Sequence, residues 1–190
     1  CDLESELCWK INGVTALFTF HPEPLSTIDI KKEIKRILKV IKSVGINVLF
    51  TYANSDNGGM IINNEIEKYV YKDKNKYLVI KNLGQLKYLS AMKHLDFVIG
   101  NTSSGIIEAA SFHKPVVNIG SRQSGRLQSG NVIDTSIEKL EDSIDKATSA
   151  SFVKYCSNVE NIYGDGNASG QIVTILENND PNIVKKFIDL

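Results

Sequence analysis

The sequence lacks long apolar runs, net charge and paired cysteine motifs. Its longest apolar stretches, such as VTALFTF and INVLF, are far shorter than the roughly 20 residues that cross a bilayer, so we expect no membrane segment. Lysine plus arginine total 22, as do aspartate plus glutamate, so no global field would attract nucleic acid or an anionic membrane. The 3 cysteines show no C-x-x-C or Cys/His metal spacing. They suit free thiols in a reducing compartment, and we expect a cytoplasmic protein.

Glycine-rich nucleotide fingerprints are also missing. The segment FHPEP after the first apolar run contains no glycine, which argues against the G-x-G-x-x-G turn of a nicotinamide-binding fold. Gly100 and Gly105 have the spacing of a phosphate-binding loop, but no lysine follows Gly105, which argues against an ATPase of that kind. No cluster of carboxylates is present to hold a metal. We therefore expect neither a cofactor nor a metal ion.

Short β-rich segments alternate with segments of helical periodicity along the chain. At 190 residues one domain can bury a sizeable core, and we expect residues 1–190 to form a single domain. Parallel neighbours need crossover connections, so the alternation predicts an α/β doubly wound parallel sheet of about six strands in the order 3-2-1-4-5-6. The predicted strands are 14–20, 46–52, 77–80, 97–99, 116–119 and 132–134. The predicted helices are 27–44, 60–71, 85–94, 104–112, 136–155, 168–176 and 181–189, after a charged leader.

This topology predicts where a ligand would bind. In open α/β sheets the site lies beyond the carboxyl ends of the strands where the strand order reverses, here between the first and fourth strands. The loops at that point contain His21 and the pair Thr102 and Ser103. The loops after the second and fifth strands bring Asn54 and Arg122 to the flanks of the same crevice.

The stretch from the fourth strand into the next helix favours an anion. DFVIG is followed by NTSSG, so unpaired backbone N–H groups at the start of the helix would converge beside the hydroxyls of Thr102 and Ser103. Glu108, the only acidic or basic residue between positions 100 and 113, would face a sugar hydroxyl, and Arg122 can reach phosphate oxygens. The alternatives are structural: a plain turn, a strand-end cap at His21 and a surface acid at Glu108.

Five motifs in one order resemble those of the hydrolysing UDP-N-acetylglucosamine 2-epimerases of sialic-acid synthesis. The resemblance covers nearly the whole chain but only the second half of such an enzyme. The motifs are HP at 21–22, NSDNGG at 54–59, GNTSSGIIE at 100–108, RQSGR at 122–126 and YGDGN at 163–167. The resemblance implies a Rossmann-like domain that is the C-terminal half of a two-domain GT-B fold. Because the chain begins with cysteine and a charged leader, we expect it to be a fragment without its N-terminal domain.

The resemblance also implies roles for residues around the phosphates. Thr102 and Ser103 would bind the diphosphate of UDP, and Arg122 would assist at the nucleotide. His21 is the implied catalytic residue and would contact the diphosphate as it leaves. A positive crevice of this kind would stabilise the leaving group electrostatically.

On the uridine side, the resemblance implies that Glu108 accepts hydrogen bonds from the ribose hydroxyls. Leu83 would meet the uracil through its backbone, and Asn54 would line the same pocket. The implied reaction removes the proton at C2 of UDP-N-acetylglucosamine, expels UDP from C1 and hydrates the resulting glycal to N-acetylmannosamine. It needs no metal, and its acid and base groups are carboxylates of the other domain, so this chain alone is expected to be inactive.

Two departures from the family pattern leave the substrate open. Thr102 stands where serine is common, and Ser55 stands where alanine is common, which is compatible with a related UDP-diacetamido sugar. Two other functions also remain open: a GT-B glycosyltransferase that passes the sugar to an acceptor, and a nucleotide-sugar-binding module without catalysis. The resemblance further implies a homo-oligomer for the full-length protein.

Overall fold

The computed structural model describes residues 2–23 and 29–179, which form six parallel strands with helices on both faces of the sheet. The strands are β1 (Thr15–Thr19), β2 (Asn47–Thr51), β3 (Tyr77–Ile80), β4 (Phe97–Gly100), β5 (Val116–Ile119) and β6 (Val132–Thr135). The helices are α1 (Asp2–Leu7), α2 (Ile30–Val44), α3 (Gly59–Val70), α4 (Gly84–His94), α5 (Ser103–Ile107), α6 (Leu140–Thr148), α7 (Ala150–Cys156) and α8 (Ala168–Asn178). Two 3₁₀ turns span Ala109–Phe112 and Ile137–Lys139.

The strand order is β3-β2-β1-β4-β5-β6, and every pairing is parallel. The predicted doubly wound, Rossmann-like α/β fold is confirmed. Strands β1, β4 and β5 are buried along their whole length, because helices cover the sheet from both sides. Sequence order reverses between β1 and β4, so the crevice predicted from the strand order lies at the carboxyl ends of those two strands.

Helix α2 shows how the local sequence sets the boundaries of the covering helices. The Asp29 carboxylate accepts hydrogen bonds from the backbone N–H groups of Lys31 and Lys32, at 3.0 and 3.2 Å, which caps the first turn. Gly45, with a φ of 79°, ends the helix in the left-handed conformation. The buried face of α2 presents Ile34, Ile37, Leu38 and Ile41 to the sheet. This helix therefore packs by the periodicity that the sequence predicts.

The predicted helices differ from the structure in three places. The leader contains α1, whose Leu3 and Leu7 pack with Trp9 in the core on one face of the sheet; a single helical turn of apolar spacing is too short to be recognised in the sequence. The predicted helix 104–112 is α5 followed by a 3₁₀ turn, and the predicted helix 136–155 is a 3₁₀ turn followed by α6 and α7. The predicted helix 181–189 lies outside the described residues.

None of the residues of helix α8 is buried, in contrast to the other α-helices in the described part of the chain. Its four branched apolar side chains are each more than half exposed: Ile172, Val173, Ile175 and Leu176. Within residues 2–23 and 29–179, no helix is long and apolar enough to cross a membrane.

Candidate functional site

The turn after β4 meets the loop after β1 at the carboxyl edge of the sheet. Thr19 pairs with Gly100 at the end of the two strands, so His21 and Asn101 lie just beyond the paired residues. The side-chain oxygen of Asn101 accepts a hydrogen bond from the His21 backbone N–H at 2.7 Å, and its amide nitrogen donates to the His21 carbonyl at 2.8 Å. The structure therefore brings His21 to the turn that contains Thr102 and Ser103.

Arg122, in the loop after β5, reaches the same turn. Its guanidinium Nη1 donates to the Asn101 carbonyl at 3.1 Å. Its backbone N–H donates to the Glu23 carboxylate at 3.0 Å, and the same carboxylate accepts from the N–H and hydroxyl of Ser121. Arg122 is thus held at both ends, with its charge directed at the turn after β4.

The surroundings of His21 determine its protonation state. Its Nδ1 accepts a hydrogen bond from the Asn54 backbone N–H at 3.0 Å. Burial, and then the Arg122 guanidinium, lower the pKa of His21 to about 4, while Asp56 opposes the shift. The ring is therefore neutral at pH 7, and because Nδ1 is an acceptor its proton lies on Nε2. His21 can act as a neutral N–H donor but not as a positive charge.

Thr102 and Glu108 line one cavity of about 280 Å³ beside this turn. The Thr102 hydroxyl oxygen lies 3.4 Å from the Ser104 backbone N–H and caps α5, so its own proton remains available to donate. Because α5 has only five residues, the hydroxyls lining the cavity matter more than the dipole of so short a helix. The other lining residues are Thr19, Asn82, Gly84, Gln85, Tyr88, Leu89 and Ser104. We call this space the Tyr88 cavity.

Tyr88 is a feature of this cavity that the sequence analysis missed. Its hydroxyl lies 3.2 Å from the Thr19 hydroxyl, which lies 2.6 Å from that of Thr51. Burial raises the pKa of Tyr88, so the phenol stays protonated. One tyrosine on the inner side of an amphipathic helix is typical of a core residue, and only the contact of its hydroxyl with Thr19 in the structure distinguishes this one.

The other predicted residues lie around this cavity and crevice. Asn54 follows β2, its backbone contacts His21, and its side-chain oxygen is buried without a hydrogen-bond partner. Leu83 is buried at the start of α4, between two residues that line the Tyr88 cavity, so its backbone lies at the rim. Ser103 is half-buried at the start of α5 but is not one of the residues that line the cavity.

Two further observations limit the choice of site. A larger depression of about 800 Å³ lies between the 3₁₀ turn at 109–112 and residues 157–171, and none of the predicted site residues lines it. In the part of the chain that the structure describes, no group of three or more histidine, cysteine, aspartate or glutamate residues could hold a metal ion. The crevice at β1 and β4, with the Tyr88 cavity, is therefore the candidate site.

Comparison with known proteins identifies the family. The family model described as UDP-N-acetylglucosamine 2-epimerase matches residues 3–177. The chain belongs to this family. The expected resemblance is thereby confirmed, over nearly all of the chain.

Two curated relatives of this epimerase-family chain are hydrolysing enzymes by name. GDP/UDP-N,N'-diacetylbacillosamine 2-epimerase of Campylobacter jejuni is 41% identical over 152 residues, covering 80% of this chain and 40% of the relative. UDP-N,N'-diacetylbacillosamine 2-epimerase of Legionella pneumophila is 32% identical over 163 residues, covering 85% of this chain and 42% of the relative. The chain thus spans about two fifths of the length of these relatives.

Solved structures of the family share the fold. A UDP-GlcNAc 2-epimerase from Neisseria meningitidis, crystallised with UDP-GlcNAc, superposes with a TM-score of 0.67 at 19% identity, covering 94% of this chain and 48% of that one. The enzyme from Methanocaldococcus jannaschii gives a TM-score of 0.66 at 17% identity, covering 94% of this chain and 50% of that one. The chain thus matches about half of each of these structures and shares the fold of that part.

The epimerase-family site therefore has two parts with different chemistry. At the crevice, His21 offers a neutral N–H and Arg122 a fixed positive charge, which together suit an oxyanion. The Tyr88 cavity is lined by hydroxyl-bearing residues together with Glu108, which suits a ligand rich in hydroxyl groups. Thr102 lies at the boundary between the two parts, since it follows Asn101 and lines the cavity.

Proposed function

We propose that the complete protein is a hydrolysing UDP-sugar 2-epimerase and that residues 1–190 are its single C-terminal, UDP-binding domain. The observation that carries the proposal is the adjacency of the two parts of the site. His21 and Arg122 both contact Asn101 in the turn after β4. The residue after Asn101 is Thr102, which lines the same cavity as Glu108. A nucleoside diphosphate needs such an arrangement, because its phosphates and its ribose are covalently adjacent.

In this proposal UDP lies across both parts of the site. Thr102 and Ser103 donate to the diphosphate, and Arg122 supplies the positive charge. Glu108 accepts from the ribose hydroxyls inside the Tyr88 cavity, where Tyr88 completes the wall. The residues that we propose to bind UDP are Asn54, Leu83, Thr102, Ser103, Glu108 and Arg122.

The proposed reaction is an elimination followed by a hydration. A base outside this chain removes the C2 proton of the sugar, a C1–C2 double bond forms, and the C1–oxygen bond breaks with its electron pair going to UDP. Water then adds its oxygen to C1, and a proton returns to C2 on the opposite face. His21 donates its Nε2–H to the departing diphosphate, and Arg122 offsets the negative charge that develops there.

We further propose that the sugar is a UDP-diacetamido sugar, with UDP-N-acetylglucosamine as the second candidate. Two relatives at 41% and 32% identity are named for N,N'-diacetylbacillosamine. Ser55 and Thr102, where the family more often has alanine and serine, are compatible with a substrate other than UDP-N-acetylglucosamine. Ser55 is exposed and follows Asn54, whose backbone bonds to His21, so in this proposal it lies beside the sugar rather than the nucleotide.

The test uses the full-length protein with each UDP-sugar and no acceptor. We expect UDP and a free sugar inverted at C2, detected by chromatography and proton NMR, with faster turnover of the UDP-diacetamido sugar. Release of sugar only after an acceptor is added would instead identify a glycosyltransferase. A product still linked to UDP would identify the non-hydrolysing reaction, and binding without any turnover would identify a binding module.

Glu108→Gln tests the ribose contact. The change keeps the size of the side chain but replaces a charge-assisted hydrogen bond by a neutral one, so we expect the Kd for UDP to rise about 3- to 30-fold by calorimetry. The affinity for 2′-deoxyUDP should change less, because that ligand lacks one of the hydroxyls. Glu141→Gln, on the exposed side of α6, is the matched control. An equal loss of affinity for both ligands would remove Glu108 from the ribose site.

A further inference from the structure

Asn101 is a fully buried residue whose side chain is used entirely on the backbone of His21. Its oxygen accepts from the His21 N–H at 2.7 Å and its nitrogen donates to the His21 carbonyl at 2.8 Å. The two bonds continue the pairing of β1 with β4 beyond its last backbone pair, Thr19 with Gly100. The loop after β1 is thereby held at a defined distance from the turn after β4.

The backbone of Asn101 holds two other segments. Its carbonyl accepts from Arg122 Nη1 at 3.1 Å and from Gln123 Nε2 at 2.8 Å, and the Gln123 side chain is buried. Its N–H donates to the Thr19 carbonyl at 3.1 Å. Each polar atom of Asn101 is therefore bonded within the protein. The loops after β1, β4 and β5 meet at this one residue.

We propose that Asn101 is a positioning residue, which holds His21 and Arg122 at the spacing that the departing diphosphate requires. The inference rests on the proposed function. Asn101 has no polar atom left to contact the substrate, because each of them is hydrogen-bonded within the protein. It acts through His21, whose backbone it clamps, and through the Arg122 guanidinium, which its carbonyl orients.

A second buried asparagine, Asn131, provides a control that distinguishes an effect on the position of His21 from a general effect on stability. Asn131 is also fully buried, its side-chain nitrogen donates to the Lys114 carbonyl at 2.7 Å, and its carbonyl accepts from the Val116 N–H at 2.9 Å. These contacts lie at the amino ends of β5 and β6, on the opposite edge of the sheet from the crevice. Asn131→Ala therefore controls for the loss of a buried amide far from the site.

The experiment compares Asn101→Ala with Asn131→Ala in the full-length protein. Both changes should lower the melting temperature, whereas only Asn101→Ala should lower kcat for the UDP-sugar, by about 10- to 100-fold, with a smaller change in KM. A second readout is the NMR titration of the His21 ring, identified by its absence in His21→Asn. Its pKa of about 4 should rise toward 6.5 in Asn101→Ala, because the ring escapes from its buried place beside Arg122 and Asp56, and should stay unchanged in Asn131→Ala.

Each outcome decides the proposal. Unchanged kcat and unchanged His21 titration in Asn101→Ala would overturn it, as would an equal loss of kcat in Asn131→Ala. If Asn101→Ala does not fold, Asn101→Asp replaces it: the acceptor for the His21 N–H is kept, the donor to the His21 carbonyl is lost, and a wild-type kcat would contradict the proposal. If the wild-type protein turns over neither UDP-sugar, the proposed function fails, and the His21 titration still tests Asn101.

Discussion

Arg122→Ala is expected to raise the Kd for UDP by about 10- to 150-fold, the equivalent of losing a charge-assisted contact of roughly 1.5 to 3 kcal/mol. Arg122 is the cation that contacts the turn after β4, and it is held there by Glu23 at its backbone and by Asn101 at its guanidinium. Because the side chain is ordered before the ligand arrives, little of its binding energy would be spent on fixing its conformation. Calorimetry on the full-length protein measures the change.

The matched control is Arg126→Ala, which removes the same charge from the same loop. Arg126 is exposed, and Arg122 is half-buried. An exposed charge is screened by solvent and salt, so we expect less than about a threefold change in Kd. Gln123 still donates to the Asn101 carbonyl when Arg122 is truncated, so the turn keeps one of its two donors. Equal effects of the two variants would mean that only net charge matters, and would remove Arg122 from the site.

The arrangement of the sheet could be predicted because it depends on chain-wide periodicity. Six apolar segments separated by helical ones leave few parallel topologies, and the reversal of order between β1 and β4 then follows. This reversal alone placed His21 opposite the turn containing Thr102, and the structure has His21 bonded to the residue before Thr102. The strand order determines which strand ends lie side by side, and this order can be predicted from the alternation of strand and helix segments in the sequence.

The contacts that organise the site could not be predicted, because they depend on side-chain packing between segments distant in sequence. Asn101 is separated from His21 by 80 positions, and Glu23 from Arg122 by 99. In the sequence Glu23 is an acid between two prolines, and only the structure shows its carboxylate bound to backbone N–H groups of the loop after β5. Tyr88 was missed for the same reason, since its partner Thr19 belongs to β1 and lies 69 positions away in the sequence.

Gly100→Ala is expected to destabilise the protein by about 3 kcal/mol or more, because two separate costs add. Gly100 has a φ of 137°, a conformation that alanine rarely adopts. A Cβ at this position would also overlap the Thr19 carbonyl oxygen and lie 2.7 Å from its carbon. These atoms belong to the backbone of β1, which pairs with β4 at this residue, so relief of the overlap would break the pairing that supports the crevice.

Gly45→Ala separates the two costs of the Gly100 substitution. Gly45 also has a positive φ, of 79°, but a Cβ there would meet nothing within 4 Å. We expect this variant to lose only about 1 kcal/mol, the cost of the left-handed conformation alone. Denaturation in urea of both variants gives the free energies of unfolding. Equal losses would show that β1 can move away from β4 without cost, in which case the crevice is not held by this close approach and the spacing of His21 from the turn must depend on Asn101 alone.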